Sequence, residues 1–313
     1  MVDSRLNITA AATRMHSSQP GISRQLRLLE EELGLKIFVR QGRALARLTP
    51  AGAQVIEHTQ RVLDQINCIK GLSVEIGNED AGSLSIATTH TQARYVLPPV
   101  ISHFRERYPE VKLHLHQGTS EQIAEQINAD RVDLAIASGH SDLYKDLTLL
   151  PCYRWHRTII VPRAHPLAGQ PRPTLADLAH YPLITYTFSV SGPSSLHELF
   201  AGAGLEPNVV LTARDADVIK TYVRIGLGVG IVASVAVDAE ADPDLVAIDA
   251  AHLFPTHTTW LGVRRATLLR RYMYDFIRLF APHLDRRRVD DARDAPDAPA
   301  LEKLFSGVAL PQR

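Results

Sequence analysis

The chain has 313 residues, enough for two or three domains around a sizeable buried core. Hydrophobic residues make up 45% of it and the formal net charge is zero, which excludes a surface that is basic throughout. No apolar run approaches the roughly 20 residues of a membrane span, and the first residues lack a signal peptide's apolar core, so a cytoplasmic protein with no membrane partner is expected. Cys68 and Cys152 stand far apart outside any CxxC pattern and are read as small buried hydrophobes in a reducing compartment.

The zero average hides a local excess. From Met1 to Pro50 eight basic residues (Arg5, Arg14, Arg24, Arg27, Lys36, Arg40, Arg43, Arg47) face four acids (Asp3, Glu30, Glu31, Glu32). Within this stretch Thr9 to Met15 predicts a short alanine-rich helix, and His16, Ser17 and Ser18 a turn ending in a capping serine. A second helix is predicted from Gln19 to Leu33, with Pro20 in its first turn and Gly34 at its end. Ile22, Leu26, Leu29 and Leu33 recur at spacings of four, three and four, giving one buried stripe. The other face carries Gln19, Ser23, Arg24 and Arg27, side chains suited to base edges and phosphates. KIFVRQGRALARLT then reads as two short strands about a Gln-Gly turn, a wing with Arg43 at its tip. An amphipathic helix with outward arginines is by itself an ordinary solvated face; turn, helix, wing and basic residues together point to DNA.

These residues resemble the LysR-type transcriptional regulators, whose recognition helix carries a SQPxxSRQ pattern matched by Ser18, Gln19, Pro20, Ser23, Arg24 and Gln25. The resemblance implies a winged helix-turn-helix over residues 1–50, with Ser18, Gln19, Pro20, Ser23, Arg24, Arg27 and Arg43 at the DNA. It departs from the family at one point: the apolar helix that opens the family's winged domain has no counterpart after Met1. The expectations are a frayed DNA-binding module and a start codon assigned too far downstream; the alternative is an effector-binding protein that has lost DNA binding.

Val55, Val62, Ile69 and Ile76 fall at sevens along the next segment, so residues 51–80 are expected to form a linker helix that pairs with a second copy. From Ser83 the pattern becomes strand, helix, strand, helix: SLSIATT, Gln92 to Tyr108, VKLHLHQG, Ser120 to Ala129, VDLAIAS. That alternation predicts an α/β domain with a mostly parallel sheet and a ligand at the carboxyl ends of its strands. TTHTQARY begins at such an end, where unpaired N–H groups of a helix start, threonine hydroxyls and the Gln92 amide would cradle an anion without metal or full positive charge. A single N-capping threonine would account for less of this stretch. Ser138 and Ser191 end two other predicted strands with hydroxyls of the same kind.

A closer resemblance within the family, carried in order by ATTHTQARY, HPLAG, PLITYTF, DADVIKTYVRIGLGVG, LRRYMYDFI and APHL, is to its regulators of sulfate assimilation and cysteine biosynthesis. It implies an anion held by Thr89, Thr91, Gln92, Ser138 and Ser191, the last two being threonines in the family pattern. It also implies an effector among N-acetylserine, O-acetylserine, sulfate and thiosulfate, and a homodimer or homotetramer on promoter DNA. The implied effector domain, residues 81–285, resembles periplasmic binding proteins, with subdomain I at 81–152 and 258–285 and subdomain II at 153–257. Residues 286–313 are read as a charged, partly mobile tail.

The remaining motifs have plain readings. GLGVG at Gly226 to Gly230 follows a helix and precedes a strand, the reverse of a phosphate loop. His114 and His116 alternate on a strand without a third metal ligand, Asp215 and Asp217 lead a helix as capping charges, and Tyr153 and Trp155 read as core beside a hinge. With no GxSxG elbow or HExxH helix, no catalytic residue, cofactor or metal is expected.

Overall fold

The structure, a computed structural model, describes residues 8–15, 17–41, 44–56, 58, 59, 62, 80–138, 141–144, 147–190, 195–265 and 267–313. They fall into two compact units, divided between Asn78 and Glu79. The predicted linker helix lies almost wholly outside these residues; only its start, 50–56 with 58, 59 and 62, is described as helical.

In the first unit α1 (Ile8–Arg14) and α2 (Gln19–Glu32) precede an antiparallel hairpin, β1 (Phe38–Gln41) and β2 (Ala44–Leu48). Ser18 caps α2, its hydroxyl accepting the Gly21 N–H at 3.2 Å. Gly34, at φ +66°, closes it with N–H bonds from Gly34 to Glu31 and from Leu35 to Glu30, a pairing that needs left-handed backbone. Ile8, Ala12, Ile22, Ile37 and Phe38 form the small core. The expected stripe needs correcting. Ile22 is buried and Leu26 half-buried, but Leu29 and Leu33 are 42% and 44% exposed, and the third inward position belongs to Glu30. Residues 22, 26 and 30 share one face of the helix at spacings of four, which turns Leu29 and Leu33 away. Glu30 is tolerated inside because its Oε1 accepts the N–H groups of Ile37 (2.9 Å) and Phe38 (3.2 Å) at the root of the hairpin.

The second unit contains two five-stranded sheets. The first, ordered β4-β3-β5-β12-β6, joins β3 (Gly82–Thr88), β4 (Val111–Gln117) and β5 (Leu134–Ser138) in parallel, with β12 (His257–Arg264) antiparallel to β5 and to β6 (Leu147–Trp155). The second, ordered β11-β7-β10-β8-β9, comprises β7 (Arg157–Pro162), β8 (Leu183–Tyr186), β9 (Val209–Ala213), β10 (Val229–Ala233) and β11 (Leu245–Asp249). β8 lies parallel to β9 and β10; β7 runs antiparallel to β10 and β11. The chain passes from sheet one to sheet two through His156 alone, between β6 and β7, and returns over residues 250–256.

Helices cover the faces: α3 (Leu97–Arg107) and α4 (Ser120–Asn128) on sheet one, and α5 (Leu175–Ala179), α6 (Leu196–Gly202) and α7 (Ala216–Arg224) on sheet two. The expected Gln92–Tyr108 helix begins instead as a π-helical turn, Gln92–Val96, in which the Leu97 N–H reaches back to the Gln92 carbonyl. Pro98 and Pro99 supply no N–H for the carbonyls of Arg94 and Tyr95, so the ordinary ladder cannot run through this turn. α8 (Arg271–Phe280) buries Tyr272, Met273, Phe276, Ile277 and Phe280, with Phe276 edge-on to Phe104 of α3 at 5.5 Å.

The final segment is not a loose tail. It forms α9 (Arg286–Arg293) and α10 (Ala298–Phe305), because Val289, Ala292 and Ala295 are buried and Leu301, Leu304 and Phe305 pack against the core between its charges. Pro311 to Arg313 then lie along Arg154 at the crossing between sheets: Arg154 donates its N–H to Pro311 and accepts that of Arg313, both at 2.9 Å.

Candidate effector site

The carboxyl ends of β3 and β5 bring together Gln92, Ser138 and three side chains outside the predicted site, Tyr153, Trp155 and Thr259. Gln92, 2% exposed, donates its amide to Thr259 of β12 (3.4 Å) and accepts the Tyr153 hydroxyl (2.5 Å). The Thr259 hydroxyl shares a proton with that of Ser138 at 2.7 Å, and the Trp155 indole donates to Ser138 at 3.2 Å. One continuous hydrogen-bonded chain therefore runs Tyr153–Gln92–Thr259–Ser138–Trp155, all on one sheet face by strand alternation. Burial pushes the Tyr153 hydroxyl up to about 12, so it stays a donor.

Thr89 accepts the Gln92 N–H (3.4 Å), capping the π turn. Thr91 reaches the other sheet, hydrogen-bonded to the hydroxyl of Tyr186 at the end of β8; burial raises that hydroxyl to about 12, while it accepts the Ala233 N–H at 3.2 Å. Ser191 and Arg43 lie outside the described residues. At this end of the two sheets Thr88 Oγ1, His90 Nδ1 and Ser189 Oγ are buried with no hydrogen-bond partner among the described residues. Such groups are costly unless something polar meets them. An apolar recess lined by Ala135, Ala137, Leu149 and Trp260 lies on the opposite face of sheet one and does not communicate with them by strand alternation.

Across the opening, the first turn of α7 faces the π turn. Tyr95 donates to Asp217 at 2.8 Å, and His90 and Arg94 lie 3.8 Å from the same carboxylate. Lys220, 3% exposed, sits over the Tyr95 ring at 4.7 Å and pairs with Asp242 at 2.5 Å, which Arg224 also holds at 2.6 Å. Burial alone would raise the Asp242 carboxyl, but the two cations outweigh it and hold it below its ordinary range. His90, Asp215 and Asp217 place ligand atoms within 4.8 Å of one another, yet Asp215 caps α7 through the Val218 N–H and Asp217 is committed to Tyr95, so the trio works as a lobe-to-lobe ion cluster.

In the first unit Ser18, Gln19, Pro20, Arg24 and Arg27 are exposed along the first turns of α2, with Ser23 half-buried among them. An exposed helix N-terminus bearing hydroxyl, amide and guanidinium groups can approach a duplex groove. The profile described as "Bacterial regulatory helix-turn-helix protein, lysR family" matches residues 1–53, and "LysR substrate binding domain" matches residues 77–285. The chain belongs to the LysR family of transcriptional regulators. It is a DNA-binding regulator rather than an enzyme, and with the helix-turn-helix present the reading of a chain that has lost DNA binding is not favoured.

It is 48% identical over 310 residues to the HTH-type transcriptional regulator CysB of Haemophilus influenzae, covering 99% of this chain and 96% of that protein. Against the regulator SsuR of Burkholderia cenocepacia identity is 44% over 288 residues, covering 92% and 94%. Among solved structures, the cofactor-binding domain of the Cbl transcriptional regulator is 44% identical with a TM-score of 0.61, over 66% of this chain and 90% of that one. Full-length CbnR complexed with its target DNA shares the fold, with a TM-score of 0.66 at 23% identity over 88% and 93%.

Sequence reasoning placed Asp217 as a capping charge and Tyr153 and Trp155 as core. Tyr153 and Trp155 are buried, as that reading expects, and Asp217 is half-buried in the first turn of α7, but each also makes a polar contact across elements. The signal available was the polar handle that Tyr and Trp carry, which a buried position must satisfy. Thr259 gave no signal, because it lies in an ordinary β-branched run.

Proposed function

We propose that this regulator controls genes of sulfate assimilation and cysteine biosynthesis, responding to a small oxygen-rich effector, N-acetylserine, O-acetylserine, sulfate or thiosulfate, bound between the two sheets. The observation that carries the reading is the 48% identity to CysB over nearly the whole of both chains. Hydroxyl, amide and indole donors gathered where β3, β5 and β8 end support it, since neutral donors on a rigid frame suit an anion small enough to be surrounded. In this reading Thr89, Thr91, Gln92, Ser138 and Ser191 surround the effector, while Ser18, Gln19, Pro20, Ser23, Arg24, Arg27 and Arg43 meet promoter DNA. The protein works in the cytoplasm as a dimer or tetramer joined through the linker helix of residues 51–80. The effector acts by preferring one separation of the two lobes, for otherwise it shifts nothing.

The test is a fluorescence anisotropy titration of a cysteine-biosynthesis promoter fragment at several salt concentrations, with and without N-acetylserine and sulfate. Tight, salt-dependent binding that responds to one of them is expected, as is its weakening in Arg24→Ala with effector affinity kept. Equal affinity for promoter and unrelated DNA, indifferent to every effector, would overturn the reading.

A further inference from the structure

Arg157 opens β7 immediately after the crossing between sheets, and it is 4% exposed. A guanidinium at that depth ordinarily has a carboxylate beside it, because its hydration is lost and must be replaced. Here no acid or hydrogen-bond acceptor among the described residues meets it, and its Nη1 is wholly enclosed without a partner. The contact it does make is with the Phe254 ring, 5.8 Å from its centroid, and a cation–π contact restores a fraction of what burial removes. Asp249 is close in the sheet, opposite Thr158, but that register puts it on the other face from Arg157, and His156 holds it at 3.0 Å.

The neighbours of Arg157 converge on the same end of sheet two. Its ladder partner is Ala233, the last residue of β10, whose N–H goes to the Tyr186 hydroxyl. Tyr186 ends β8 and is the residue that Thr91 meets from the other lobe. Three residues on, in the turn Thr187–Ser189, the Ser189 hydroxyl is fully buried and also unpartnered. β7 and β8 flank β10, so their ends stand about 10 Å apart across it, a span that an arginine side chain can cover in large part. A cation and a hydroxyl, each buried and each without a partner, thus lie at the carboxyl ends of β8 and β10.

We propose that Arg157 is the counter-charge of the effector site, and that with Ser189 it takes the negatively charged group of a small oxyacid, a sulfate or a carboxylate. This deepens the effector reading above and rests on it: neutral donors on sheet one orient the ligand, and the guanidinium on sheet two supplies the full charge. An anion bound there would touch both sheets and so reward their approach.

The experiment is isothermal titration of the full chain with sulfate and with N-acetylserine, in a buffer free of other oxyanions, for the wild type, Arg157→Met, Ser189→Ala and Thr91→Val. Arg157→Met is expected to weaken sulfate binding at least tenfold. Its ligand-free melting temperature should be no lower than that of the wild type, because an unpaired buried charge has been removed. Ser189→Ala, which takes away a single oxygen, should weaken binding several-fold and keeps the test open should the arginine variant not fold. Unchanged sulfate affinity in Arg157→Met, or in Ser189→Ala if only that variant folds, overturns the proposal, as does a lower ligand-free melting temperature of Arg157→Met with affinity intact. If Thr91→Val abolishes binding while Arg157→Met does not, the effector reading stands and the counter-charge falls; if the wild type binds neither ligand, both fall.

Discussion

Replacing Glu30 tests how the wing is held to the recognition helix. Its Oε1 accepts two buried backbone N–H groups, from Ile37 and Phe38, while Oε2 meets Lys36 at 3.3 Å. Glu30→Ala leaves both N–H groups without an acceptor, at about 1–3 kcal/mol each, so about 2–6 kcal/mol in all. A domain this small holds roughly 5 kcal/mol, which makes the loss comparable to the whole. Glu30→Gln keeps an oxygen in place and gives up the charge assistance and a mostly exposed lysine partner, about 1 kcal/mol together. Burial raises the Glu30 carboxyl, but the bonds from Phe38, Ile37 and Lys36 outweigh it and hold it below its ordinary value. Ionised Glu30 is therefore what the fold favours. Its contribution is complete above the ordinary carboxylate range and disappears as pH falls through the lowered value, a dependence that Glu30→Gln abolishes. Hydrogen exchange of peptides covering Gln19 to Leu48, with promoter anisotropy alongside, reads the outcome. Wild-type protection in Glu30→Ala, or equal damage from Gln and Ala, would refute the reasoning.

Three further outcomes follow from packing and hydrogen bonding. Asp242→Ala leaves Lys220, with 4% of its side chain exposed, as an uncompensated buried charge and should cost about 3–5 kcal/mol, lowering the thermal midpoint by roughly 10 °C; Lys220→Met, which leaves Asp242 with Arg224, should cost less. Gly228→Ala would set a methyl 2.4 Å from the Pro182 carbonyl oxygen, the atom that accepts the Val229 N–H, and should destabilise by about 1–3 kcal/mol in urea unfolding. Thr259→Val keeps the shape but cuts the link between Gln92 and Ser138; about 1–2 kcal/mol of stability and a clear loss of effector affinity by calorimetry are expected, and unchanged affinity would separate the polar chain from the ligand.

Much of the architecture was readable from spacing alone. The Ser18 cap, the Gly34 stop, the wing hairpin and the parallel run of β3, β4 and β5 follow from local rules of capping and periodicity, which act within a few residues. Glu30 was not readable, because its acceptors' partners, Ile37 and Phe38, become neighbours only when the hairpin folds back. The same holds for Thr259 and Arg157, whose significance comes from partners, or from missing partners, more than a hundred residues away in the chain or on another strand. The final segment differs from its expected loose tail for a related reason: its many charges obscure Val289 and Ala292, which fall on one side of a short helix, and Ala295, which is buried just beyond it. Gln92 and Ser138 were picked from hydroxyl and amide density at strand ends, and they meet through a threonine that such density does not mark.

The course of Pro311 to Arg313 has a practical side. These residues run beside Arg154, Ser234 donates to the main-chain oxygen of Arg313 at 2.5 Å, and the Arg313 guanidinium lies 4.8 Å over the ring of Tyr153. Whatever is fused after Arg313, whether purification handle or fluorescent reporter, begins where the chain crosses between the two sheets and would crowd Arg154, Tyr153 and Ser234, so handles used to measure ligand response belong at the other end of the protein.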